Sequence, residues 1–154
     1  MKCLKEADIK NVRIDDFYWN QYAQLVDDVI LDYQWELMHD RVEGAEKSYC
    51  IQNFEIAAGL KDGEHKGAVF QDTDLAKWLE AASYALAKKD NPALEKKVDS
   101  AISLLAQAQE KDGYLNTYYT ITGKKRWSNL FEDHELYTAG HFIEAAVAHY
   151  LATG

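Results

Sequence analysis

The stretch EDHELYTAGHFIEAAVAHY, Glu132 to Tyr150, gathers three imidazoles, four carboxylates and two phenols within nineteen residues. A His-Glu pair followed by a second His suggests a zinc-peptidase helix, so spacing has to decide. Such a helix places its histidines at i and i+4, where both rings reach one ion. Here Thr138 stands four residues after His134, and the second histidine is His141, seven residues on. Seven residues separate the rings by roughly 10 Å along a helix, too far for one ion with His–metal bonds of about 2 Å. The pair is therefore read as two side chains on one helix face, not as a metal site.

Two more clusters carry similar chemistry. VFQDTDLAKWLE presents Phe70, Gln71, Asp72, Asp74, Lys77 and Trp78, and KDGYLNTYY presents Asp112, Tyr114, Asn116, Thr117 and Tyr118. Aromatic rings beside carboxylates, amides and imidazoles suit a sugar, whose C–H face stacks on a ring while its hydroxyls take hydrogen bonds. Each group also has a structural use: Asp72 and Asp74 as helix caps, Trp78 as core, and the histidines as packed helix residues. Carboxylates for glycoside hydrolysis are plentiful, but the separation that distinguishes retaining from inverting chemistry is not read from a sequence. No G-x-S-x-G elbow and no glycine-rich phosphate loop is present.

These clusters must be positioned by helices. Apolar residues recur at helical spacing from about Asp16 to His39, through Phe17, Tyr18, Tyr22, Leu25, Val29, Tyr33 and Leu37, with an irregularity expected near the start. A shorter helix is expected from about Cys50 to Leu60. Thr73 or Asp74 is expected to cap the next, whose stripe is Leu75, Trp78, Leu79, Ala82 and Leu86. KDNPAL then marks a break, with Asn91 as N-cap and Pro92 at the first helical position. The following stripe is Leu94, Val98, Ile102, Leu105 and Ala108. DGYLNTYYTITG reads as a loop or short extended piece. Asp133 is expected to cap a last helix with a face of Leu136, Ile143, Val147, Tyr150 and Leu151, closed by Gly154. The fold class is all-α, built of stacked helical hairpins.

Bulk properties bound the function. A chain of 154 residues supports one core. The net charge of −9 disfavours nucleic acid, which needs clustered Lys and Arg; the one basic run, Lys124-Lys125-Arg126, reads as a solvated loop. No apolar run approaches the roughly 20 residues of a membrane span and no leader is visible, so a cytoplasmic location is expected. Cys3 and Cys50 form neither a CxxC nor a disulfide framework and are read as reduced thiols, with Cys50 a core residue.

Five stretches, FYWNQYAQLVDDVILDYQWELM, NFEIAAG, GAVFQDTDLAKWLEAASYALA, AQEKDGYLNTYY and HELYTAGHFIEAAVAHYLATG, together resemble glycoside hydrolase family 127, the bacterial β-L-arabinofuranosidases and their relatives. They run in family order along nearly the whole chain. The resemblance implies an (α/α)6 toroid, of which residues 1–154 are the N-terminal portion. It also implies a retaining mechanism with a zinc-bound cysteine nucleophile and a glutamate acid/base, all downstream of the matching region. Neither Cys3 nor Cys50 matches a zinc ligand, so no catalytic residue, metal or cofactor is assigned to this chain. What the resemblance carries over is His134 as a contact to the sugar, with Asp72, Asp74 and Tyr114 near the pocket mouth; His141 is read as packing. An arabinofuranoside-like carbohydrate is the implied partner. Two other readings stand beside this one: a non-catalytic helical module that binds carbohydrate or protein, and another toroid enzyme such as an unsaturated glucuronyl hydrolase or an epimerase. Self-association through apolar helix faces such as Leu94–Val98–Ile102–Leu105, or a rearranged compact bundle, is expected.

Overall fold

The structure is a computed structural model that describes residues 7–154, which leaves Cys3 outside the described residues. Among these residues every regular element is a helix, as expected of an all-α chain. After a 3-10 turn (Ile9–Asn11), helix α1 (Phe17–Leu25) leads through a π-helical turn (Val26–Ile30) into α2 (Leu31–Met38). Then come α3 (Cys50–Ala57), α4 (Asp72–Lys88), α5 (Pro92–Ala108), α6 (Thr117–Thr122) and α7 (Glu135–Thr153).

Helix α4 is the centre. It buries Leu75, Ala76, Trp78, Leu79 and Ala82, and α2, α3, α5 and α7 all pack on it. Trp78 Nε1 donates to the Leu31 carbonyl at 2.9 Å, and its ring lies 4.7 Å from that of Trp35. Asn91 caps α5 by accepting from Leu94 N–H, with Pro92 at the first helical position, as the sequence predicts. Helix α5 therefore returns antiparallel to α4 over a short link.

Helices α4 and α7 run parallel. Lys77 Nζ bonds Tyr137 Oη at 3.0 Å near their N-terminal ends, while Leu86 and Thr153 line one cleft near their C-terminal ends. Helix α7 buries Thr138, Ala145 and Ala148, small residues that permit the close approach to α4.

Several expectations change. The irregularity in the first long helix lies at its middle, in the π turn, not near its start. The aromatic stripe Phe17, Tyr18, Tyr22, Leu25, Val29 and Tyr33 faces solvent, whereas Leu31, Trp35 and Met38 point inward. The same inversion holds for α7: Leu136, Ile143, Val147, Tyr150 and Leu151 are exposed. By contrast, Leu94 and Val98 of α5 are buried, and Ile102 and Leu105 pack against the core. The apolar surface open to a partner therefore lies on α1 and α7 and not on α5. Residues 117–122 form a helix instead of a loop, because Asn116 caps it by accepting from Tyr119 N–H and Gly123 closes it at φ +66°. Neither Thr73 nor Asp74 caps α4, which begins after Gln71 without a side-chain cap. Asp133 does not cap α7 either; His134 takes that position in a left-handed conformation. Cys50 is fully buried, as expected, and burial pushes its thiol pKa up.

Candidate functional site

Because α4 and α7 are parallel, the loops before both helices meet at one end, together with the start of α6. Two buried carboxylates fasten that end. Asp72, 1% exposed, accepts from Thr117 N–H at 2.7 Å and from Thr117 Oγ1 at 2.6 Å, joining α4 to α6. Burial raises its pKa to about 6, although both Thr117 bonds oppose that rise. Glu135, 2% exposed, accepts from Tyr114 Oη at 2.5 Å and from Trp127 N–H at 2.6 Å. The Tyr114 hydroxyl is driven strongly towards its protonated form, first by burial and then by the Glu135 carboxylate. Tyr119 Oη donates to Asp133 at 2.9 Å.

On the side of α7 that meets α4, four rings follow one another. Phe70 lies edge-on to His134 at 5.2 Å, His134 lies 5.9 Å from Tyr137, and Tyr137 meets His141 at 4.6 Å. Lys77 adds a cation 5.2 Å from the Tyr137 ring centre, and His141 Nδ1 sits 3.1 Å from Glu144. His134 is half-buried, and no other described residue takes a hydrogen bond from its ring. A group that is held in place but unbonded is what a ligand hydroxyl requires.

The four residues expected to contact sugar share this end of the bundle without sharing one cavity. Asp74 lines a hollow of about 400 Å³ with Gln34, Ser48, Gln71 and Lys77, and Gln71 Nε2 donates to its carboxylate at 2.5 Å. Its pKa is raised by burial, against the pull of Lys77. Tyr114 lines a second cavity, of about 550 Å³, with Asn116, Arg126, Trp127 and Phe142. There the Arg126 guanidinium covers the Tyr114 ring at 3.8 Å and pairs with Asp112 at 2.7 Å. His134 belongs to the ring series between α4 and α7. Asp72 lines neither of these two cavities, and both of its oxygens are bound by Thr117. The sequence signalled the Asp72 and Glu135 types but not their burial, and it gave no sign that Trp127 would anchor on Glu135. Among the described residues no three His, Cys, Asp or Glu lie together as a group that could hold a metal ion.

The family model for the β-L-arabinofuranosidase GH127 catalytic domain matches residues 11–154. The chain belongs to glycoside hydrolase family 127. It is 38% identical, over 94% of its length, to the non-reducing end β-L-arabinofuranosidase of Bifidobacterium longum subsp. longum. It superposes at a TM-score of 0.91 with 56% identity on the crystal structure of a family 127 β-L-arabinofuranosidase from Geobacillus stearothermophilus T6, covering 94% of this chain. A further family 127 β-arabinofuranosidase structure matches at a TM-score of 0.83 and 35% identity, over 96% of this chain. The chain spans about a quarter of each relative: 24%, 23% and 24% of their lengths. The hairpins are thus those of the family 127 α/α toroid.

Proposed function

We propose that this chain supplies part of the sugar-binding mouth of a β-L-arabinofuranosidase-type glycoside hydrolase. It forms the N-terminal portion of the toroid, and in this reading the acid/base glutamate and zinc-cysteine nucleophile come from elsewhere in the family fold. One observation carries the reading: His134 stands unbonded between Phe70 and Tyr137 at the shared mouth of two parallel helices. An imidazole there can hydrogen-bond a furanose hydroxyl while the neighbouring rings take its C–H face. Lys77 on α4 bonds the Tyr137 hydroxyl beside it, and Asp74 shares a hollow with Lys77. Tyr114 acts at one remove through Glu135, and Asp72 through the α4–α6 joint.

The test is a titration of the chain with methyl β-L-arabinofuranoside, read from the His134 and Tyr137 side-chain NMR signals. Both are expected to shift, and His134→Ala is expected to weaken binding by about fivefold or more, the worth of one hydrogen bond of about 1 kcal/mol. Wild-type signals that stay still at saturating sugar would remove this reading.

A second reading, docking on a helical partner or on a second copy, is supported by the exposed α7 stripe. Leu136, Ile143, Val147, Tyr150 and Leu151 form a contiguous apolar face of a kind that monomers seldom leave bare. If this face self-associates, sedimentation velocity will show a concentration-dependent increase in size that Ile143→Glu abolishes. A monomer at every concentration would exclude a second copy as the occupant.

A further inference from the structure

We propose that Glu135 is a positioning residue whose buried carboxylate fixes the backbone on either side of it so that the His134 ring is presented to the mouth. This goes deeper into the function proposed above and rests on its reading of His134. A buried carboxylate is costly unless its lone pairs are filled, and a cation is the usual partner. Glu135 has no ion pair among the described residues; its two oxygens accept from the Tyr114 phenol and from Trp127 N–H, and the Tyr119 phenol also interacts with it. Tyr114 and Trp127 belong to two separate loops. One carboxylate thereby joins both loops to the first turn of α7.

Backbone strain sits at the same place. Trp127 and His134 both occupy the left-handed region, at φ +62° and +52°. That region disfavours side chains with a Cβ, and such residues persist only where their surroundings over-determine them. Trp127 is held there by the bond from its own N–H to Glu135. His134 makes no side-chain bond to the protein, yet both of its chain neighbours are anchored: Asp133 accepts from Tyr119 Oη, and Glu135 accepts from Tyr114 and Trp127. The histidine is suspended between two tethered carboxylates. Its ring direction is set by its neighbours, which leaves both ring nitrogens for a ligand.

A general-acid role for Glu135 itself does not fit this geometry. Although Glu135 borders the cavity that Tyr114 lines, each of its oxygens accepts a hydrogen bond and only 2% of it is exposed. A role as core filler does not fit either, since an apolar side chain would fill the space without an uncompensated charge.

The experiment measures the His134–Phe70 ring NOE and the Trp127 indole shift in this chain without sugar, in the wild type, Glu135→Gln and Tyr114→Phe. Glutamine keeps the size but removes the charge that strengthens both tethers, and its amide can hold Tyr114 Oη only by donating to it, so both tethers are weakened. Tyr114→Phe removes a single hydroxyl and decides the matter if Glu135→Gln does not fold. The expected result is loss of half or more of the NOE in Glu135→Gln and a smaller loss in Tyr114→Phe, with far-UV circular dichroism unchanged. Wild-type NOE intensity in folded Glu135→Gln and Tyr114→Phe would overturn the proposal. Because this readout contains no sugar, it stands or falls apart from the His134 titration. Where the titration succeeds, Glu135→Gln is expected to weaken sugar binding by about fivefold with His134 itself intact.

Discussion

Replacing Trp78 with alanine is expected to leave the chain at or near the point of unfolding. Trp78 is 2% exposed, lies against Trp35, and bonds the Leu31 carbonyl across the α2–α4 interface. Removing a buried tryptophan costs about 3–5 kcal/mol through lost burial and the cavity left behind. The Leu31 carbonyl also loses a side-chain partner, adding about 1 kcal/mol. That total matches the lower end of the roughly 5–15 kcal/mol that holds a domain folded. Urea titration followed by circular dichroism measures the effect, with Trp127→Ala as a control. Trp127 is 49% exposed, so its removal should cost far less. Equal midpoints for the two variants would show that the α2–α4 contact is not the main support of the core.

Asp72 gives the second large effect, and it depends on pH. In an unfolded chain an aspartate has a pKa of about 3.9. In the fold burial lifts that of Asp72 to about 6. Between these values the folded chain holds a proton that the unfolded chain has released, so stability falls as pH rises from about 4 to about 6. Above pH 6 the cost is constant at about 3 kcal/mol, two units at about 1.4 kcal/mol each. Asp72→Asn removes the ionisation but can still bond both Thr117 groups, since its amide N–H₂ can donate to Thr117 Oγ1. The stability difference between wild type and Asp72→Asn is therefore expected to turn against the wild type across pH 4–6 and then level off. Asp72→Ala leaves Thr117 N–H buried without an acceptor, a loss of about 1–3 kcal/mol. That loss should be larger at pH 4.5 than at pH 7, because at pH 7 the variant also escapes the ionisation cost. Denaturant midpoints at five pH values would check both statements. A flat difference between wild type and Asp72→Asn would show that Asp72 does not carry the raised pKa.

The helices were largely legible from period and punctuation. Asn91-Pro92 marks the start of α5, and the α4 stripe from Leu75 to Leu86 identifies its buried side, because both signals are local. What failed was the choice of face. On α1 and α7 the large apolar residues that define a stripe are the exposed ones, while α7 packs on Thr138, Ala145 and Ala148. A hydrophobic stripe reports that a face is apolar, not which neighbour covers it. Small residues that allow close helix approach are too common to stand out. Helix α6 was missed because six residues offer no period; its signals are the cap at Asn116 and the close at Gly123. For the site, the residue types singled out, His134, Asp72, Asp74 and Tyr114, all lie at one end of the bundle. Their division between ring series, buried joint and two cavities comes from long-range bonds such as Thr117–Asp72 and Tyr114–Glu135, which no spacing encodes.

The parallel course of α4 and α7 separates the labour of the bundle's two ends. A chain can enter the same direction twice only by travelling back in between, so α5 makes the return and a three-residue link suffices below. The irregular, chemistry-bearing segments of the candidate site collect above, ahead of α4, α6 and α7. Loops at that upper end can be lengthened or exchanged while the lower connections and the central helix stay as they are. An architecture of this kind can change what it recognises without renegotiating how it stands.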